Sequence, residues 1–83
     1  MLTIKVLGSG CANCKKLEQV TRQVLQKMNV DAEVIKVTEY PDIMKYNVMS
    51  TPGLVINEKM VSAGRIPSEL LIQGWIQDAM VEA

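Results

Sequence analysis

Histidine is absent from the 83 residues, and with it go imidazole general bases, Ser-His triads and every zinc site that needs a His ligand. Phenylalanine is absent as well, and one Trp and two Tyr are the whole aromatic content. The core must therefore be aliphatic and methionine-rich. An excess of charge is also lacking: nine Lys and Arg meet nine Asp and Glu, which leaves no net field for a phosphate backbone or an anionic bilayer. Neither nucleic acid nor membrane is an expected partner. No run of 18 apolar residues suggests a membrane span, and the ten residues ahead of the first cysteine are too few for a secretory leader. The expected location is cytoplasmic. Cysteine itself is scarce. Cys11 and Cys14 are the only two, too few for a four-cysteine zinc site and too close together to staple a fold. In a reducing compartment such a pair is more often catalytic or metal-binding than structural, which makes it the first place to look for function.

What is present reads as one small domain over residues 1–83. Apolar residues are 48% and charged residues 22% of the chain, an ordinary globular mix. A chain of this size buries only about 60% of its unfolded surface, so packing has to be economical. Leu2 to Leu7 has the apolar, β-branched character of a strand and runs into Gly8-Ser9-Gly10. From Cys14 the apolar positions Leu17, Val20, Val24, Leu25 and Met28 keep a helical period, which predicts about four turns stopping near Asn29. Ala32 to Thr38 reads as a second strand, parallel to the first because a helix joins them. Pro41 opens a short helix holding Ile43, Met44 and Tyr46, closed by Asn47. Gly53 to Ile56 and Lys59 to Ala63 form a hairpin around Asn57-Glu58, a turn in which Glu58 stands where glycine is favoured. Pro67 and Ser68 start a last helix with Leu71, Ile72, Trp75, Ile76, Ala79 and Met80 on its apolar face. The order is βαβαββα.

The spacing Cys11-x-x-Cys14 between a strand and a helix carries chemistry. A sulfur at the helix start faces unpaired N–H groups and the positive end of the macrodipole, which favour a thiolate at Cys11. Cys14, about one turn on, can reach that sulfur and resolve a mixed disulfide from within the molecule. Lys15 and Lys16 add positive charge to the first turn, although a solvated face is the ordinary place for both.

A CxxC pair next to a βαβ pattern is the known signature of thioredoxin-like redox motifs. In Cys11-Ala12-Asn13-Cys14, Ser50-Thr51-Pro52-Gly53, Gly64 after the last strand and the order of elements, the chain resembles the thioredoxin-like family along nearly its whole length. Within that family it resembles the minimal, glutaredoxin-sized thioredoxins sometimes described as small redox-active disulfide proteins. The resemblance implies an α/β fold, a four-stranded mixed sheet with helices on both faces. It implies that Cys11 attacks, that Cys14 resolves, and that the two form a redox-active disulfide. It also implies that Pro52 is the family's cis-proline beside them, and that the backbone at Thr51 pairs with an extended stretch of substrate. Activity would be reduction of protein disulfides, without a cofactor or metal, with disulfide-containing proteins as substrates and a thioredoxin-reductase-like protein as electron donor.

The chain departs from ordinary thioredoxins at three places. Gly10 stands where an aromatic residue usually precedes the first cysteine, Ala12-Asn13 replaces Gly-Pro, and the first strand carries Lys5 in place of a buried acid. A buried Lys5 would have a lowered pKa and could act as a base toward Cys14; an amine reaching solvent is the commoner fate. Ala63-Gly64-Arg65-Ile66 lacks the Gly-Gly turn and acid with which glutaredoxins hold glutathione. Strand, glycine-rich loop, CxxC and helix also open heavy-metal-associated copper chaperone domains, so a soft-metal-binding module or copper/heavy-metal chaperone is the alternative reading. That family, however, has Met two residues before the first cysteine, where this chain has Ser9. The scattered methionines and Trp75 are expected in the core.

Overall fold

The computed structural model describes residues 2–8, 10, 12–47 and 50–82. Seven elements follow one another as β1 (Leu2–Leu7), α1 (Ala12–Met28), β2 (Ala32–Val37), α2 (Tyr40–Met44), β3 (Gly53–Ile56), β4 (Lys59–Ala63) and α3 (Glu69–Glu82). The strands form one mixed sheet in the order β2-β1-β3-β4, with β1 and β2 parallel and the other two pairings antiparallel. This is the expected four-stranded mixed sheet, with its helices divided between the two faces.

Period-two alternation along β1 sorts the core. Leu2, Ile4 and Val6 point to one face, where they pack with Leu17, Val24 and Leu25 of α1, Leu54 and Ile56 of β3, and Ile72, Ile76 and Ala79 of α3. Leu7 points to the other face and packs with Val55 and with Ile43 of α2. Trp75 lies against the first cluster, as expected of a core residue.

Local chemistry explains the element boundaries. The end of α1 is closed by Asn29 at φ 57°, with Asn29 N–H donating to the Gln26 carbonyl and Val30 N–H donating to that of Leu25. These are the paired bonds of a Schellman cap. The last helix begins two residues later than Pro67 suggested: Ser68 Oγ accepts from Leu71 N–H at 3.3 Å and so caps α3 from outside it. The short helix starts one residue earlier than expected, at Tyr40, with Pro41 inside its first turn. Only Ile43 of its residues is buried, and Met44, expected on its apolar face, is exposed.

The hairpin turn is made as expected by Asn57 and Glu58, both at positive φ (51° and 67°). Asn57 is also tied to the central strand, its N–H donating to Thr3 O and its Oδ1 accepting from Thr3 N–H. Tyr46, beyond α2, donates its hydroxyl to the Glu58 carboxylate at 3.0 Å.

Candidate active site

The site is assembled where β1 ends. Past Leu7 the chain continues in register, and Gly8 N–H donates to Val37 O at 2.9 Å. Gly8 is buried, and against it lies Cys14 in the first turn of α1. A Cβ built on Gly8 would overlap the Cys14 sulfur, stand 3.1 Å from Cys14 Cβ, and come within 3.9 Å of Thr51 Cβ. Gly8 thus floors a niche with Cys14 on one side and Thr51 on the other. Cys14 is only 5% exposed, and its sulfur is disulfide-bonded. Cys11 lies outside the described residues, as does Met49.

Thr51 and Pro52 approach from the loop between α2 and β3. Their peptide bond is cis, the prolyl ring is fully buried, and Thr51 is exposed. Pro52 O accepts from Gly64 N–H at 2.9 Å, which ties this loop to the end of β4. Gly64 has φ 77°, a conformation side chains resist, and a Cβ there would come within 2.9 Å of Ser50 Oγ. In the sequence Gly64 stands out only through the family resemblance, and Gly8 only as part of a glycine-rich loop. For Gly8, the available signal was a small residue just ahead of a CxxC pair.

Lys5 is not part of this site. It lies on the α2 face, on the same side of β1 as Leu7 and opposite Val6. Its ammonium donates to Tyr46 Oη at 2.8 Å, pairs with the Glu58 carboxylate and sits 5.5 Å from the Tyr46 ring centroid. The hydrogen bond to Glu58, then that to Tyr46, holds the lysine pKa well above its ordinary value. This is the opposite of what a base would need, and it leaves Lys5 unsuited to accept a proton from Cys14. Lys15 and Lys16 are exposed on α1, in keeping with a solvated face.

Elsewhere, an apolar groove between β4 and α3, lined in part by Val61, Trp75 and Ala79, shares no residue with the niche. Among the described residues no group of three or more His, Cys, Asp and Glu converges as a donor set for a metal ion. No described helix is long and apolar enough to cross a membrane.

Residues 2–77 match the family model described as a thioredoxin domain. The chain belongs to the thioredoxin family. Among curated relatives, the thioredoxin of Methanothermobacter thermautotrophicus is 33% identical over 69 residues, spanning 83% of this chain and 90% of that one. The thioredoxin of Methanocaldococcus jannaschii is 32% identical over 68 residues, spanning 82% and 78%. Among solved structures, thioredoxin 1 of the thermophilic eubacterium Thermosipho africanus superposes with a TM-score of 0.61 at 21% identity, over 96% of both chains. Thioredoxin-2 of the malaria parasite gives 0.68 at 14% identity, over 94% of this chain and 82% of that one. At such identities the solved structures establish the fold alone. Family membership makes the chain a thiol-disulfide oxidoreductase in general terms and does not favour the metal-binding alternative.

Proposed function

We propose that the chain, as a single domain, reduces disulfides in other proteins by cycling Cys11 and Cys14 between dithiol and disulfide. The observation that carries this reading is the buried, disulfide-bonded Cys14 in the first turn of α1, walled by Gly8 and close to the exposed Thr51. In the first step the Cys11 thiolate attacks a substrate S–S bond, forming a mixed disulfide and expelling one substrate thiolate. Cys14, as thiolate, then attacks the Cys11 sulfur, closing the Cys11–Cys14 bond and expelling the second. Two electrons pass from the dithiol to the substrate, and the two thiolates leaving take up the two protons that the cysteines lose.

Division of labour follows from position. Cys14 is too buried to meet a protein disulfide directly, so attack is assigned to Cys11, and the short spacing keeps resolution intramolecular. Thr51 offers its backbone to an extended substrate segment, an arrangement that binds through main-chain groups and tolerates varied side chains. Pro52 supplies carbon at the wall of the site and no N–H donor. A thioredoxin-reductase-like protein returns the two electrons, no cofactor is bound by this chain, and the cycle runs in the reducing cytoplasm.

Insulin-disulfide reduction with a thioredoxin reductase as donor tests the reading. Wild type should turn over. Cys14→Ser should lose turnover yet accumulate mixed disulfides with added substrate proteins, visible as slower bands on non-reducing gels. Equal trapping by Cys11→Ser would reverse the assigned roles, and no turnover by wild type would remove the proposal.

A further inference from the structure

The geometry points to Gly8 as a positioning residue that sets the redox poise of the pair by giving the Cys14 sulfur its room; this rests on the dithiol-disulfide reading above. Glycine at position 8 is not required by the backbone, because its φ lies outside the left-handed region. What requires it is the space that the Cys14 sulfur already fills.

None of the neighbours can retreat easily from an added methyl. The Gly8 backbone is pinned to β2 through Val37 O. Behind Cys14, α1 is seated on the fully buried Leu17 and Thr21, with Thr21 Oγ1 donating to Leu17 O at 2.8 Å. Thr51 Cβ bounds the far side. The part of this assembly with rotational freedom is the cysteine side chain, and it has that freedom in one redox state only. As a thiol, Cys14 can turn about χ1 to another staggered well. As half of a disulfide its sulfur is tethered and must stay over position 8. A methyl at that position therefore disfavours the disulfide more than the dithiol, and the couple becomes more oxidising.

Equilibration with dithiothreitol buffers reads this directly. A donor thiolate attacks the pair, its S–S bond breaks, the donor's second thiolate closes a donor disulfide, and the released cysteines take the two protons that the donor gives up. In the same buffer Gly8→Ala should show a dithiol-to-disulfide ratio at least tenfold higher than wild type, which corresponds to about 30 mV for a two-electron couple. Gly74→Ala, whose added carbon meets nothing within 4 Å, should stay within twofold of wild type. A Gly8→Ala ratio within twofold of a reversibly oxidised wild type overturns this inference and leaves the proposed function standing. A wild type with no reversible disulfide overturns both.

A double-mutant cycle separates the sulfur from general crowding. The loss in melting temperature caused by Gly8→Ala should largely vanish in a Cys14→Ala background, because the obstructing atom is gone. If Gly8→Ala alone does not fold, Gly8→Ala/Cys14→Ala should fold. An equal penalty in both backgrounds, or failure of the double variant to fold, shows that the sulfur is not the obstacle and overturns the inference.

Discussion

The two faces of the sheet are closed by different means. On one, α1 and α3 cover a cluster that takes aliphatic side chains from β1, β3 and both helices. On the other, α2 has five residues and buries a single isoleucine, and beside it the sheet is finished by polar groups: Lys5 reaches from β1 to Tyr46 and to Glu58 in the hairpin turn. Hydrophobic burial is non-directional and grows with the area covered, so the broad face needs no individual contact to be special. The narrow face has too little helix for that and relies on directed bonds among three residues far apart in sequence.

Cavity formation gives the largest contrast. Ile76→Ala, on the broad face and fully buried, should cost about 2–5 kcal/mol of unfolding free energy, as measured by urea titration. Ile43→Ala should fall near the low end of that range, because a five-residue helix can settle into the space. Equal losses at both positions would mean that the narrow face is as tightly packed as the broad one.

A smaller effect of opposite sign is expected at Gly74, inside α3 with open space around it. Gly74→Ala should stabilise by about 0.5–1 kcal/mol through the lower backbone entropy of the unfolded chain and better helix propensity. A melting temperature at or below that of wild type would show that Gly74 has a packing partner.

The smallest effect is electrostatic and depends on pH. Hydrogen bonds from Lys5 and then Tyr46 hold the Glu58 carboxyl below its ordinary 4.5. Its contribution is therefore present above that value and is lost as acid protonates it in the folded state. The raised Lys5 works in the other direction: its share is complete below the ordinary lysine value and is lost only in strong alkali. Wild type should exceed Glu58→Gln in urea midpoint at pH 7, and the gap should close on acidification and shrink in high salt, since Glu58 is largely exposed. A gap unchanged between pH 7 and pH 3 would remove the pair from the stability of the narrow face.

Much of this fold was legible because its signals are local. The stripe from Leu17 to Met28, the β1 and β2 runs, the turn at Asn57-Glu58 and the α/β order are all patterns within one element or between neighbours. Lys5 was not legible, because its setting joins positions 5, 46 and 58 and no periodicity links them. The one clue was a misfit: Glu58 in a turn that favours glycine, which makes sense once its carboxylate has two donors. Gly8 was hidden similarly, since glycine next to Ser9 and Gly10 reads as loop until the Cys14 sulfur is seen against it. At α3, proline and serine both signal a helix start, and only the bond from Leu71 N–H to Ser68 Oγ fixes which residue is the cap.

The placement of β1 between β2 and β3 also sets an order of events during synthesis. Residues 2–7 leave the ribosome before residues 32–37, their parallel partner, and their second ladder has to wait for residues 53–56. At ribosomal speeds of about 5–20 residues per second this interval lasts on the order of seconds. Throughout it one edge of the future central strand is bare, while the cysteine pair, carried on the segment between β1 and β2, has already been made. The nascent chain thus carries its two thiols before the loop bearing Thr51 and Pro52 has been made.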